Sequence, residues 1–345
     1  MNDDNPIHAT ESTRPTGSGL LTVVRKEFAD HLTNRTFLVL AVLLLVVCIL
    51  PFQQGLAGYR YAQEAYAHPA IDEWGFHEPT LGMPNAADVY FPLPEAVSIA
   101  GAILAISMGF DLVSRERQTG SLKMLLVRPI FRDEVITGKA LGGLLALTMV
   151  VYAGLAVSMA VLLVEGIVPG PDDLVSILLF SLATVAFLAF YFGLALAIST
   201  VVPRTGKAFL YALIAFFVFS AVIPAAGEVA KDTFAGDRPL PSLSSAANDP
   251  IAEQEAYQTR LDLVESVVTV FSPQWNYKLV AASALEPRLT AYSFLGGSWV
   301  FLDDDGSAHP MDALARFWQN ALVLFLAPLA LFVLAYIAFQ RMDVR

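Results

Sequence analysis

Charge is what this chain has least of. Only 15% of its 345 residues are Asp, Glu, Lys or Arg, 56% are hydrophobic, and mean hydropathy is +0.58. Soluble domains carry about 25% charged residues, so a water-soluble globule is excluded. The formal net charge is -11, which leaves no basic face for nucleic acid. The single cysteine, Cys48, lies in an apolar run, so no intrachain disulfide is available. A glycine-rich phosphate cradle is missing too. Thr137-Gly138-Lys139-Ala140 and Thr205-Gly206-Lys207-Ala208 end in Ala rather than Ser or Thr and have no Gly five residues earlier, so this chain is not expected to bind or hydrolyse ATP. There is no His-Glu-x-x-His. His68, His77 and His309, with Met83 and Met311, lack ligand spacing, and Asp303-Asp304-Asp305-Gly306 reads as a solvated turn rather than a twelve-residue calcium loop. No metal or cofactor is expected on this chain.

What is present is a set of long uncharged runs. Thr36–Tyr59, Ala140–Val164, Leu174–Pro203, Ala208–Gly227 and Phe317–Gln340 contain no charge at all. Each reaches the roughly 20 residues needed to cross a bilayer as a helix. Pro94–Val113 makes a sixth, with Glu95 and Asp111 near its ends. The fold class is therefore an all-α polytopic membrane protein with six transmembrane helices; the runs lack the alternation of a β-barrel. The first run exceeds the core of a signal peptide, about 7–15 residues, and reads as a retained anchor. Glu95, Asp111 and Glu165, the ionisable groups closest to the spans, all sit near span ends, which argues against a proton-coupled carrier. Pro51, Pro224 and Pro328 are expected to bend spans one, five and six. Gly138, Gly142 and Gly143, with Ala195, Ala197 and Ser199, permit close helix contact.

With six spans, the segments before Thr36, Ser114–Lys139, Arg204–Lys207 and those after Gln340 share one side. They hold 14 of the 21 basic residues. The positive-inside rule makes that side, with both termini, cytoplasmic in the cell membrane. Counting Asp111 with that side, the net charge is +4 inside and -15 outside.

The chain divides accordingly. Residues 1–19 are polar and expected to be a disordered cytoplasmic tail. Leu20, Val23, Val24, Phe28 and Leu32 recur at helical spacing, and Arg25, Lys26, Glu27 and Asp30 fall elsewhere around the helix. This segment reads as an amphipathic helix on membrane lipid, leading into the spans of a unit covering 20–227. Residues 60–93, rich in proline and aromatics, read as an irregular external loop, and 228–316 as a mostly helical external cap. Within the cap, Ile251–Phe271 should be a helix ended by Ser272-Pro273. Residues 317–345 supply the last span and a cytoplasmic C-terminus.

The most informative stretch joins the second and third spans. Leu122, Leu125 and Leu126 form an i, i+3, i+4 stripe, with Thr119 or Ser121 as N-cap and Pro129 as terminator, so a short helix is expected near 119–128. Asp111 and Arg115, one turn apart, form a candidate inner gate. Glu116, Gly120, Ser121, Leu122, Leu125, Leu126, Pro129, Arg132, Gly138 and Lys139, at this spacing, resemble the signature of the membrane subunits of ABC type-2 exporters. The similarity is nearest to the branch that includes the membrane component of the nitrous-oxide-reductase copper-maturation transporter. The resemblance implies that 119–128 is a coupling helix docking on a separate cytoplasmic ATP-binding cassette subunit, which binds ATP and Mg, and that two permease copies pair. The residues alone leave other readings open. The stretch also reads as an ordinary basic loop with an exposed Glu116–Arg132 ion pair, and the chain as a secondary transporter or channel without an ATPase, or as an assembly factor for a secreted enzyme.

Overall fold

The computed structural model describes residues 17–68, 83–120, 131–234, 250–293, 298–301 and 310–342. Six helical stretches are long and apolar enough to span a membrane, and each falls on one of the six uncharged runs. Span one is α2 (Arg35–Ala67), preceded by α1 (Gly17–Thr33). Span two is broken into α3 (Leu93–Gly109) and α4 (Ser114–Thr119). Spans three and four are α5 (Arg132–Val164) and α6 (Pro171–Val201). Span five contains α7 (Thr205–Phe217) and α8 (Ile223–Phe234). After α9 (Pro250–Phe271) and α10 (Pro273–Leu285) come strands β1 (Leu289–Ser293) and β2 (Ser298–Phe301), then α11 (Pro310–Arg316) and span six, α12 (Trp318–Gln340).

The core lies around α6, which is packed against α3, α10 and α12. Phe187, Tyr191, Ala195 and Leu196 of α6 are fully buried. Close approach comes from small residues. A Cβ on Gly109 would stand 2.7 Å from the Phe192 carbonyl oxygen and 2.8 Å from Ala195 Cβ, so spans two and four meet backbone to backbone. The small residues read from the sequence thus divide between packing, as at Ala195, and the polar role of Ser199 described below.

Four expectations need correction. Helix α1 begins at Gly17, three residues before the expected start at Leu20; residues 1–16 lie outside the described residues. Helix α2 continues to Ala67, because Arg60 through Ala67 contains no Pro and no Gly to stop it, and the expected irregular loop does not begin at 60. Its described remainder is the 3₁₀ turn Ala86–Tyr90, buried on the bundle. The helical class gains one antiparallel hairpin, with Leu289 opposite Phe301 and Ser293 opposite Ser298. Its strands are rich in β-branched and aromatic residues, and Gly296-Gly297 falls between them in the sequence.

The fourth correction concerns the cap. Helix α9 matches the expected Ile251–Phe271 helix closely, but α10 is not an outlying element: all its residues from Leu279 to Leu285 are buried. It enters the bundle between α3, α6 and α12. Tyr277 stacks on Phe187 with centroids 4.4 Å apart, and its hydroxyl lies 3.0 Å from Thr184 Oγ1. Burial drives the Tyr277 phenol far above its ordinary pKa of 10.0, so it acts only as a neutral hydrogen-bonding group.

Span five carries a π turn at Val218–Val222, where the Ile223 amide donates to the Val218 carbonyl. Pro224 follows directly. It has no N–H for the carbonyl four residues earlier, and a widened turn accommodates the lost bond. Ser272, the N-cap residue of α10, donates its hydroxyl to the Phe219 carbonyl at 3.5 Å. The expected bend in span five therefore takes the form of a π turn. Pro51 and Pro328 lie inside α2 and α12, and both helices continue through them.

The α1–α5 contact leaves no room for a side chain at Gly142. A Cβ on Gly142 would stand 2.7 Å from Glu27 Cβ, 3.0 Å from the Val24 carbonyl oxygen and 3.1 Å from the Phe28 amide. Backbone atoms cannot yield as a side-chain tip can. Gly142→Ala is expected to destabilise by about 1–3 kcal/mol through overpacking. Gly58→Ala, at an α2 position with nothing within 4 Å, should be neutral or slightly stabilising. Thermal unfolding of the two variants in detergent checks the contrast.

Candidate functional site

Glu116, Gly138 and Lys139 of the motif gather at the end of the bundle where α1, α4 and α5 meet. Lys139, in the first third of α5, is buried. Its Nζ donates to Glu27 Oε1 of α1 at 2.9 Å and to Glu116 Oε1 of α4 at 2.8 Å. A lysine almost never stands inside a protein unless it is paired. Here two carboxylates from two different elements pair it. The side chains of Lys139 and Glu27 retain 2% and 6% of their accessibility and that of Glu116 19%, so solvent screens this arrangement little.

Each partner is held from behind. On α1, Val23, Glu27 and His31 recur every four residues and form the buried stripe, with Val24, Phe28 and Leu32 half-buried beside it. Val23 sits over Gly138, whose Cβ would come within 2.6 Å of the valine side chain. The apolar stripe read from the sequence is thus only part of the buried face, because Glu27 turns inward to Lys139 instead of lying with Arg25, Lys26 and Asp30. On α4, the break in span two leaves amide groups without helical acceptors. The Val113 and Ser114 amides both donate to Ser199 Oγ of α6, at 3.1 and 3.0 Å. Thr205 Oγ1, at the start of α7, donates to Gln118 Oε1 at 2.8 Å. Glu116 is therefore carried on a short helix fastened to spans four and five.

The other predicted residues separate into groups. Asp111 and Arg115 do pair, at 3.7 Å across one turn. Glu116 and Arg132 do not pair with each other: Glu116 turns to Lys139, and Arg132 donates to the Gln340 and Met342 carbonyls at 3.5 and 3.2 Å, fastening the start of α5 to the end of α12. Thr119 is no N-cap. It lies in the last turn of α4, its hydroxyl donating to the Arg115 carbonyl at 3.1 Å, and Gly120 ends the helix at φ +72°, a left-handed conformation that glycine adopts without strain. Ser121, Leu122, Leu125, Leu126 and Pro129 lie outside the described residues, and of the expected helix near 119–128 only Thr119 and Gly120, which close α4, are described. Leu20 is half-buried at the edge of the α1–α5 contact.

Glu27, His31, Ser199 and Thr205 were not identified by reading the sequence. The signal available was the four-residue spacing of Val23, Glu27 and His31 opposite the same spacing of Gly138 and Gly142. At the other end of the bundle, burial and the neighbouring Glu286 push the Asp88 carboxyl up to about 7. Asp173 nearby accepts the Gly170 and Ala87 amides. Among the described residues no cluster of His, Cys, Asp or Glu is arranged to hold a metal ion.

Electrostatics at the Lys139 site set a pH dependence. Burial raises the Glu27 carboxyl, but the Lys139 ammonium, with Lys26 and His31, outweighs burial and holds it below its ordinary 4.5. Burial lowers His31 below 6.5; Glu27 and Asp30 pull it up, Lys139 pushes it further down. Both groups take up protons more readily when α1 unfolds. The contribution of these two groups is therefore full above pH 6.5, declines as His31 titrates in the unfolded chain, and falls again below 4.5 as Glu27 must protonate. His31→Gln is expected to flatten the fall in melting temperature between pH 6.5 and 5. Removing the cation strands two buried carboxylates, so Lys139→Met should destabilise by about 3–5 kcal/mol. The pair Lys139→Met with Glu27→Leu should cost less than the sum of the single changes, a coupling read by a double-mutant cycle in thermal or urea unfolding.

Comparison with known proteins agrees with this architecture. The family model described as ABC-2 family transporter protein matches residues 21–344, which takes in all six spans and the motif. A protein of Stutzerimonas stutzeri named as a probable ABC transporter permease protein, NosY, is 26% identical over 147 residues, 42% of this chain and 46% of that relative. The alignment thus spans less than half of the relative's length, and it agrees with the branch that the motif resembles. This multi-pass membrane chain belongs to the ABC-2 family of transporter proteins.

Proposed function

We propose that this chain is the membrane-spanning permease of an ATP-driven exporter, moved by a separate ATP-binding cassette subunit that binds and hydrolyses ATP with Mg. The observation that carries this reading is the Lys139 site: one buried cation joins α4 and α5, the elements that flank the 121–130 segment on the chain, to α1. A push delivered to that segment passes through Gly120 into α4 and through Phe131 into α5. Glu116–Lys139 then keeps the two from separating. Lys139–Glu27 adds α1, which leads directly into span one, so the load is shared by spans one, two and three. The Ser199 and Thr205 bonds extend it to spans four and five.

The orientation that serves this role places the Lys139 end in the cytoplasm of the cell, in keeping with the 14 basic residues on that side. A second permease copy completes the transporter, as the family pattern implies. Division into an N-terminal cytoplasmic tail, a membrane unit and an external region belongs to the same reading. The hydrolytic step resides in the partner, and this chain contributes a shaped and movable helical bundle.

Copurification provides the test. Expressed with an ATP-binding cassette subunit from the same genome, the chain should retain that subunit through detergent extraction, and Leu125→Asp with Leu126→Asp should abolish the association. Lys139→Gln, if it folds, should retain the subunit but lose at least tenfold of the ATPase stimulation. Active transport by the purified chain without any ATPase would overturn the proposal.

A further inference from the structure

Spans one and three run side by side but touch sparsely, and a cavity of about 310 Å³ lies between them with α6 behind it. Its mouth is formed by Val42, Val46 and Ile49 of α2 and Val157 of α5, each more than half exposed. These residues lie in the uncharged middle of membrane-crossing helices, so the mouth opens to hydrocarbon. The two hydroxyl groups of the wall are already bonded, and Cys48 and Gln53 are its other polar side chains. The Ser158 hydroxyl donates to the Leu155 carbonyl and lies 3.1 Å from the Tyr90 hydroxyl; the Thr184 hydroxyl donates to the Phe180 carbonyl and meets Tyr277. What the cavity offers is carbon surface.

We propose that this cavity binds the acyl chain of a zwitterionic membrane phospholipid. The depth fits. Arg60 of α2 and Glu165 at the end of α5 form an ion pair above the mouth. Ile49 lies eleven residues before Arg60, about 16 Å along the helix, which is roughly half of a 30 Å hydrocarbon layer. A headgroup at the ion pair therefore places the far end of its acyl chain at the cavity. The pair presents both signs, a guanidinium for a phosphate and a carboxylate for an amine, with Arg60 half-exposed. A helix from a second copy does not fit. Leu45 crosses the groove to Gly154, where an added Cβ would stand 3.0 Å from it, and two packed helices need 8–10 Å between axes. A flexible chain threads beside that contact, and unfilled volume in contact with lipid is filled because packing contacts are otherwise lost. The site is independent of any ATPase and stands or falls separately from the exporter reading.

The test uses the whole chain, reconstituted with phosphatidylethanolamine bearing a diazirine at its acyl terminus. After irradiation, adducts are mapped by mass spectrometry. Residues 42–53 and 150–161 should carry at least fivefold more label than the lipid-facing Leu326, Leu329 and Val333 of α12. Gly154→Phe, which fills the groove, should reduce that label to the α12 level. Because Cys48 lines the cavity and is the only thiol, its alkylation by a membrane-permeant maleimide in the unaltered protein gives a second readout, which phosphatidylethanolamine should slow at least threefold. Uniform labelling across the spans, or alkylation indifferent to the lipid, would overturn the proposal. Equal labelling by a diazirine hexadecane, which has no headgroup, would overturn the assignment to a phospholipid.

Discussion

A cation that cannot leave and cannot be unpaired holds this architecture together. Lys139 stands where an apolar residue would ordinarily fill α5, and desolvating its ammonium is offset only when both Glu27 and Glu116 approach within hydrogen-bond distance. Neither carboxylate belongs to α5, so the ionic requirement becomes a positional one: α1 and α4 must lie against the third span together. Hydrophobic packing alone would not impose this, because near a bilayer the surrounding lipid is as apolar as the helices.

The charge arrangement works only with glycine beneath it. Gly138 and Gly142 let the α1 backbone settle close enough for Glu27 to reach inward, and any side chain at 142 would meet backbone atoms. Ser199 performs the matching task at the break in span two, accepting two amides that would otherwise be unsatisfied. Two sets of small residues on different spans thus present two carboxylates to one lysine. Two residues singled out in the sequence, Glu116 and the lysine of Gly138-Lys139, acquire a direct physical meaning: the two touch.

Much of this was legible before any coordinates. The spans announced themselves because burying charge in hydrocarbon is costly, so each uncharged run became a helix, and the Asp111–Arg115 pair followed from one-turn spacing. What stayed hidden was pairing at long range. Glu27 looked like a solvent-facing charge because its partner lies 112 residues away, and the alternative of a Glu116–Arg132 pair stayed open although Arg132 holds the end of α12. Helix α10 falls in a stretch with no uncharged run long enough to span, yet its polar Gln274, Asn276 and Tyr277 are buried in the bundle, with Asn276 accepting from Asn320 and Tyr277 bonded to Thr184.

The π turn in span five alters how that helix must be read. One residue beyond the ordinary count advances the helical phase by about 100°, so the side of α7 that meets α6 through Phe216 is not prolonged in a straight line by α8. The two halves of the fifth helix therefore answer to different neighbours. The lower one keeps register with span four, and the upper one takes its bearing from the chain segment that supplies Ser272.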